Sequence, residues 1–515
     1  MRERGLLGLL VLALVACGNS SKKGDDDATG GSSSAGMSGT TGAAGSTSGA
    51  GGSGAGGGTG GTPAATGGTA GNDTGGSGGL GAGGTAANGG AHSGGNGGAA
   101  AGGAAAGMAG RGPCDHQLDQ PGCWRTRDLS GYTGNTQSFY GAVFDGRYVT
   151  FLDNFSSVLS AVQVRFDTRS DFTSNTAWQS VDIHTYIDST MVGGVFDGRY
   201  VYSPGRPLNV NAAGDVVDES VIVRLDPQAA FDSADSWSSF NLSTVRGDND
   251  PTVPGYQGVE FDGRYLYFAP TYAELGDTSP LSGSIARYDT MREFTDASAW
   301  DAFDTTTLDA SAAGFTGAVF DGTYVYFVPS YGMDRTTAVV TRHDTTGDFA
   351  DAATWETFDT ATLDAAAKDF SGGVFDGRYV YFVPTDTLSQ GLITRFDTQG
   401  TFTDAAAWST VNPGPLAPTH SAWSFVCGAF DGHYVYFVSR DGYLLRYDPD
   451  TAFDATASWT SQRVSTVADS LSTNFTDATF DGRYLYLSAS GFSHMVQYDA
   501  GGSGKLPPWF HGSFL

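Results

Sequence analysis

The chain has 515 residues, of which 76 are glycine and only 16% are charged. Its 55 acidic residues outnumber 27 basic ones, which gives a formal charge of −28, and only four of the basic residues are lysine. This composition excludes a basic surface for a polyphosphate, so we do not expect nucleic acid as a partner.

The N-terminus has the pattern of an export signal. Arg2 and Arg4 precede an apolar run over residues 5–16, which is too short to cross a bilayer as a mature helix. The run ends in Leu-Val-Ala-Cys at 14–17, which resembles the bacterial lipobox. The resemblance implies a signal peptide over residues 1–16 and a lipid on Cys17, which would hold the protein to a membrane. Gly18 stands where an aspartate favours the inner membrane in enterobacterial lipoproteins, so we expect the outer membrane of the cell envelope.

The mature chain is predicted to begin with a disordered tether over residues 17–112. From residue 18 onwards this segment is almost wholly Gly, Ala, Ser and Thr, and it contains no aromatic residue. Such a composition cannot bury enough apolar surface to form a core. As a flexible chain it would span on the order of 50 to 60 Å.

Residues 113–515 contain one phrase seven times. The fullest copy reads GGVFDGRYVYFVP at 372–384, where two β-rich runs flank an Asp-Gly pair typical of a type I′ hairpin. A third run such as 394–397 follows, and a fourth begins at a tryptophan such as Trp300. Four antiparallel strands every 50 to 65 residues, with no helical periodicity, predict an all-β, seven-bladed β-propeller. The phenylalanine of the phrase lies at 144, 196, 261, 320, 375, 430 and 480.

The blades resemble those of kelch and WD40 propellers in length and in strand number. The sequence lacks the Trp-Asp ending of WD40 repeats and the full glycine-doublet pattern of kelch repeats. The resemblance therefore implies the architecture, with its strands A to D in each blade, and no particular family.

The two ends of the chain are predicted to close the ring together. In six copies a phenylalanine precedes the tryptophan of strand D by six residues, but the seventh copy stops after Asp499 without this element. Leu118 and Trp124 have the same spacing, so residues 118–130 should supply the missing strand. After export, Cys114 and Cys123 would meet an oxidising compartment, and we expect a disulfide between them that braces this segment. Cys427 is expected to be a buried free thiol, and the protein a monomer.

One face of the propeller is predicted to bind a ligand. The spacing between strands C and D is constant, whereas the B–C and D–A connections, which emerge together on the opposite face, vary in length. Variable loops on a rigid scaffold are where binding residues concentrate. Exposed aromatic rings beside charged groups suit a glycan or a peptide. The candidate residues are Arg206, Asp248, Asp250, Tyr256, Tyr272, Tyr331, Arg335, His420 and Trp423.

Three further sets of charged residues have possible roles in metal binding, in the central channel or between blades. Asp248 and Asp250 offer oxygen ligands that calcium accepts, although a solvated loop is the favoured interpretation because no EF-hand spacing follows. Glu260 and Asp477 could place carboxylates in the central channel. No other metal or cofactor is expected. Each strand C also carries a residue pair such as Arg395 and Asp397, which we expect to connect neighbouring blades.

The sequence contains no motif that indicates catalysis. A nucleophile with its base, a metal-spaced histidine set and paired carboxylates in one loop are all missing from its local patterns. The favoured interpretation is a cell-envelope lipoprotein whose propeller binds a glycan, peptide or protein. The alternatives are a propeller-fold polysaccharide hydrolase or lyase, and a structural subunit of an envelope complex.

Overall fold

The computed structural model describes residues 114, 116–133, 139–153, 161–187, 189–207, 221–242, 245, 255–272, 281–329, 331–332, 335–385, 391–416, 424–491 and 494–501. Of these, residues 206–207, 272, 331–332 and 335–336 are described by their backbone alone. The described chain is an all-β propeller of seven blades, each an antiparallel sheet in which strands A, B, C and D follow in order from the inner edge to the outer edge. The predicted fold class is confirmed.

The strands fall into seven groups. Blade 1 contains β2 (Phe139–Phe144), β3 (Tyr148–Asp153), β4 (Val162–Asp167) and β5 (Trp178–Asp182); blade 2 contains β6 (Ser189–Met191), β7 (Val195–Phe196), β8 (Val201–Pro207), β9 (Val221–Leu225) and β10 (Trp237–Asn241); blade 3 contains β11 (Gly255–Phe261), β12 (Tyr265–Tyr272), β13 (Ser284–Asp289) and β14 (Trp300–Asp304); blade 4 contains β15 (Phe315–Phe320), β16 (Tyr324–Pro329), β19 (Val339–Asp344) and β20 (Trp355–Asp359), with a small hairpin of β17 (Tyr331–Gly332) and β18 (Arg335–Thr336) between its strands B and C.

The remaining strands complete the ring. Blade 5 contains β21 (Phe370–Phe375), β22 (Tyr379–Pro384), β23 (Ile393–Asp397) and β24 (Trp408–Val411); blade 6 contains β25 (Phe425–Phe430), β26 (Val435–Ser439), β27 (Tyr443–Tyr447) and β28 (Trp459–Arg463); blade 7 contains β29 (Phe475–Phe480), β30 (Tyr484–Ala489), β31 (Met495–Asp499) and β1 (Trp124–Arg127). One short α-helix is described, α1 (Ser130–Thr133), together with 3-10 turns.

Blade 7 is completed by the first strand of the chain. β1 pairs antiparallel with β31, with Trp124 opposite Tyr498 and Arg127 opposite Met495. The rings of Trp124 and Tyr498 lie 4.5 Å apart. This confirms the predicted closure. Cys114 and Cys123 form a disulfide directly before β1, while Cys427 is buried and unbridged.

The A–B turns are nearly identical in all seven blades. One carboxylate oxygen of the turn aspartate accepts the backbone N–H groups of the residues two and three positions on, as Asp376 does from Arg378 and Tyr379 at 2.8 and 2.6 Å. The glycine between them lies at positive φ, 101° at Gly377. A type I′ turn needs two such residues, so the predicted turn type was wrong. Only the glycine of each described turn has positive φ, and the aspartate side chain accepts two N–H groups of the turn.

The C–D corner explains the spacing of six residues before each tryptophan. A 3-10 turn such as Ala352–Thr354 ends at the tryptophan that opens strand D. The indole N–H of Trp355 then donates to the carbonyl of Phe349 at 3.0 Å, and the two rings pack 5.3 Å apart. The same bond, 2.8 to 3.0 Å long, occurs in every blade, including the bond from Trp124 to Leu118 that validates the closing segment.

The inner strands approach one another closely around the axis. A Cβ atom on Gly258 would lie 2.5 Å from the Cα of Gly317 in the next blade, so glycine is required at this position. In blade 2 strand A is interrupted at Gly193, whose φ is 62°, and β6 and β7 pair separately with β8. Apolar side chains between adjacent sheets form the core.

Candidate functional site

The two faces of the propeller differ in how uniform their connections are. The A–B links have three or four residues in every blade, and the C–D links have ten or eleven wherever both strands are consecutive in the chain. The B–C links instead range from residues 440–442 in blade 6 to residues 208–220 in blade 2. We call the end of the A–B and C–D links the uniform face and the opposite end the variable face.

Four of the predicted site residues have a described backbone. Arg206 lies in β8 opposite Thr190, Tyr272 is the last residue of β12, and Tyr331 and Arg335 lie in the β17–β18 hairpin. All four lie at the B–C end of blades 2, 3 and 4, and therefore on the variable face. The backbone thus brings these positions to one side of three consecutive blades.

Five predicted residues fall outside the described chain. They are Cys17, Asp248, Asp250, His420 and Trp423.

Tyr256 is placed in the core. Its side chain is 4% exposed, and its hydroxyl donates to the carbonyl of Ser284 at 3.1 Å. The ring packs 6.3 Å from that of Phe268. Its sequence position contains the signal, because Tyr256 precedes Phe261 by five residues, as Phe315 precedes Phe320. The ring therefore offers no open face to a ligand.

A histidine–aspartate pair on the variable face was missed by the sequence analysis. His494, at the start of strand C of blade 7, places Nδ1 2.7 Å from Oδ2 of Asp469, which lies in the connection from blade 6. The two side chains are 20% and 30% exposed. The residues are 25 positions apart, and no local motif joins them.

Asp469 is held in place by several donors. Its Oδ1 accepts the backbone N–H of Leu471 at 2.8 Å, and the hydroxyl of Thr126 on β1 also bonds to the carboxylate. Burial opposes ionisation, but the hydrogen bonds from Thr126, His494 and Leu471 together lower the pKa of Asp469 below its usual value. Asp469 is therefore a carboxylate at neutral pH.

The charge on Asp469 fixes the tautomer of the neutral imidazole. A carboxylate only accepts hydrogen bonds, so Nδ1 of His494 must carry the proton. Nε2 is then an acceptor, and among the described residues it has no hydrogen-bond partner. Asp128, exposed just after β1, interacts electrostatically with His494. The pair can accept a hydrogen bond from a ligand hydroxyl, amide or ammonium group.

The inner strands carry two buried acids and one thiol. Burial raises the pKa of Glu260 to about 8 and that of Asp477 to about 8. Asp477 accepts the N–H of Ala142 in blade 1 at 2.8 Å and interacts with the thiol of Cys427 in blade 6. Burial also raises the pKa of Cys427 well above its usual value, so the thiol is not activated. Asp477 thus joins three blades.

An open cleft of about 360 Å³ lies along β1, away from the four predicted positions. Beside it Arg125 pairs with Asp171 of blade 1 at 3.4 Å. The cleft shares Thr126 with the hydrogen-bond network of Asp469. Its other lining residues are Trp124, Thr173 and Ala468.

The described part of the chain contains neither a metal-binding cluster nor a membrane-spanning helix. Among those residues, no group of three or more His, Cys, Asp or Glu side chains is arranged to hold a metal ion. No helix within the described ranges is both long enough and apolar enough to span a membrane.

Known proteins share little sequence with this chain. No protein-family model matches the sequence, and no curated protein matches it. Similar solved structures include YCF48 bound to D1 peptide, with 14% identity, a TM-score of 0.45 and coverage of 73% of this chain and 95% of that chain. A chain of the mitotic checkpoint complex has 10% identity, a TM-score of 0.44 and coverage of 73% and 94%. Kuenenia stuttgartiensis hydrazine synthase has 15% identity, a TM-score of 0.45 and coverage of 71% and 97%. At these identities, and with TM-scores below 0.5, the likeness carries no conclusion about this chain.

Proposed function

We propose that this protein is a lipid-anchored binding protein of the cell envelope whose propeller recognises a glycan, peptide or protein through its variable face. The anchor rests on the Leu-Val-Ala-Cys sequence at 14–17, and the tether on the composition of residues 18–112. Anchor, tether and rigid head together describe a device that presents a binding surface at a distance from a membrane.

The observation that carries this proposal is the difference between the two faces. Seven nearly identical A–B turns and a constant C–D corner are what a scaffold requires. The B–C links, by contrast, range from residues 440–442 in blade 6 to residues 208–220 in blade 2. Because blade 6 forms its sheet with the shortest link, the scaffold does not require the longer ones. The extra length in blades 2, 3 and 4 is therefore available for recognition.

The chemistry of the described residues on this face suits a ligand that donates hydrogen bonds. Nε2 of the neutral His494 imidazole and the carboxylate of Asp128 are hydrogen-bond acceptors. Leu471, in the same connection as Asp469, is 47% exposed and offers an apolar contact. Sugar hydroxyls and peptide amides or amines fit this combination, whereas the charge of −28 disfavours a polyanion.

The binding test compares the two faces in the full chain carrying Cys17→Ser, which is exported without a lipid. Binding to a glycan array, and the affinity for the strongest glycan, would be measured before and after residues 208–220 are replaced by the Arg-Asp-Gly sequence of 440–442. We expect at least a tenfold loss of affinity. Arg199→Ser, on the uniform face of the same blade, is the matched control and should leave the affinity unchanged. Equal effects of both variants would contradict recognition by the variable face.

The anchor has a separate test. The unaltered chain should partition into the membrane fraction and gain the mass of a diacylglycerol on Cys17. Cys17→Ser should release it into the soluble fraction while leaving the thermal unfolding of the propeller unchanged. A membrane-bound Cys17→Ser protein would contradict a lipid anchor at this residue.

A further inference from the structure

A repeated contact joins each blade to the next. In five blades the guanidinium of the strand C arginine lies between two aromatic rings, a tyrosine of its own blade and the C–D corner phenylalanine of the following blade. Arg395, for example, lies 4.0 Å from the ring of Tyr379 and 4.0 Å from that of Phe453. The other inter-blade pairs, at 4.3 to 4.6 Å, are Arg165 with Phe231, Arg224 with Phe294, Arg287 with Phe349, and Arg342 with Phe402.

This contact is missing on both sides of blade 7. Towards blade 6, Arg446 keeps its tyrosine at 4.2 Å, but Leu118 takes the place of the phenylalanine, and the guanidinium bonds instead to the carbonyl of His116. Towards blade 1, Gln497 replaces the arginine and bonds within its own blade, to Tyr486 at 3.1 Å. Blade 7 therefore lacks the strand C cation–π contact that the other five interfaces share, and its cation–π contact with blade 1 comes from β1 instead, where Arg127 lies 5.9 Å from the ring of Trp178.

Blade 7 also leaves buried polar atoms without partners. Within the described residues, Oγ1 of Thr479, Oε1 of Gln497 and the hydroxyl of Tyr498 are buried and accept or donate no hydrogen bond. The strand register places Thr479 opposite Tyr486 and Tyr486 opposite Gln497. The side chains of Thr479, Tyr486 and Gln497 therefore share one face of the sheet. That face meets blade 1, where Phe172 lies 6.0 Å from Tyr486. Unpaired buried groups lower the stability of an interface.

The segment before β1 supplies the contacts that hold blade 7 in place. The ring of His116 packs 5.0 Å from that of Tyr434 in blade 6, although its Nδ1, 3.2 Å from Oδ2 of Asp431, makes no hydrogen bond within the described residues. Arg127 donates to Oδ1 of Asn175 in blade 1 at 2.7 Å. The disulfide between Cys114 and Cys123 closes the loop that contains His116 and Leu118. Without the bridge, ordering this loop costs more conformational entropy. β1 is an outermost strand with one neighbour, so it depends on that loop.

We propose that blade 7 is where the ring opens, and that the Cys114–Cys123 disulfide is a redox-sensitive latch that keeps β1 in the blade. A dithiol reductant supplies two electrons and two protons, which convert the S–S bond into two thiols, and the dithiol becomes a disulfide. Cys114 is partly exposed, which gives the reductant access, whereas Cys123 is buried. Reduction frees β1 and exposes the outer edge of β31, while the other blades keep their inter-blade arginines.

Hydrogen exchange measured by mass spectrometry tests the latch. The full chain carrying Cys427→Ala, which has no other thiol in the propeller, would be compared before and after reduction under native conditions. We expect exchange in peptides covering 124–127 and 495–499 to rise at least tenfold, with no change in β16 and β22. Unchanged exchange in 495–499, or an equal rise in every blade, would overturn the proposal.

Two sets of variants separate the latch from a general loss of stability. Leu118→Phe with Gln497→Arg restores the repeated residues on both sides of blade 7, and should reduce the response to reduction. Cys114→Ser with Cys123→Ser should show fast exchange from the start and no further response to the reductant. A reductant effect that persists in this serine variant would also contradict the latch.

Discussion

Blade 1 lacks one hydrogen bond that the other blades share, and a single substitution should restore it. In five blades a strand B tyrosine donates to Oδ2 of the turn aspartate at 2.7 to 2.8 Å, as Tyr381 does to Asp376. In blade 1 Thr150 occupies this position. Within the described residues, its hydroxyl and Oδ2 of Asp145 are both buried and without a hydrogen-bond partner, and burial raises the pKa of Asp145. We expect Thr150→Tyr to stabilise the protein.

The expected gain follows from three contributions. A hydrogen bond to the carboxylate contributes about 1.5 to 3 kcal/mol, and a buried ring a similar amount. Ordering the side chain costs about 1 kcal/mol, and imperfect fit costs about 1 to 3 kcal/mol. The strand C residue of the next blade that faces this position is Leu225 in blade 2, whereas blade 3 has the larger Tyr288 facing Tyr202, so a tyrosine at position 150 meets a smaller neighbour. The net expectation is about 1 to 2 kcal/mol.

Urea denaturation at pH 7 would measure the change in the free energy of unfolding. Thr150→Phe supplies the ring without the hydroxyl and should give a smaller gain, while Tyr381→Phe should destabilise the protein by about 1 to 2 kcal/mol. A destabilised Thr150→Tyr protein, or one no more stable than Thr150→Phe, would refute the reasoning.

Three further predictions concern buried groups. The pKa of Glu260 is raised to about 8, above its unfolded value of 4.5, so the protein loses stability as the pH rises between these values. Glu260→Val introduces the residue found at the equivalent position of blade 4, Val319. In urea denaturation this variant should increase the free energy of unfolding by about 4 kcal/mol more at pH 8 than at pH 4. Burial lowers the pKa of His343 to about 4, so stability falls as the pH drops from 6.5 to 4, and His343→Phe should remove about 3 kcal/mol of this dependence in the same assay. Trp355→Phe should cost about 1 to 3 kcal/mol in urea because the Phe349 carbonyl loses its donor, and a neutral result would contradict that role.

Much of the fold was predictable because each blade repeats its constraints. The spacing of six residues to each tryptophan reports one hydrogen bond, and the same spacing at Leu118 located the closing strand. The predicted turn type was wrong because only the glycine, and not the aspartate, lies at positive φ; the aspartate side chain accepts the N–H groups of the turn. Strand C arginines do contact the next blade, but the aspartates bond within their own, as Asp397 does to Arg378 at 2.7 Å. The residue types alone did not show whether the strand C arginine and aspartate contact their own blade or the next one.

The candidate site was less predictable because it depends on contacts between distant segments. His494 and Asp469 come from different connections and meet only when blade 7 is assembled. Tyr256 resembles an exposed loop aromatic when read beside its neighbours, and its core role emerges only when it is aligned with Phe315. The spacing of the repeated residues indicated which face varies, whereas the hydrogen-bond partner of each polar side chain became apparent only in the folded structure.

The pairing of the first strand with the last has a consequence for synthesis. β1 leaves the ribosome long before β31 exists, so it has no sheet to join until nearly the whole chain has been made. A product that stops before Met495 would present both β30 and β1 as open edges, which invite aggregation or proteolysis. Ring closure therefore requires that synthesis has passed β31.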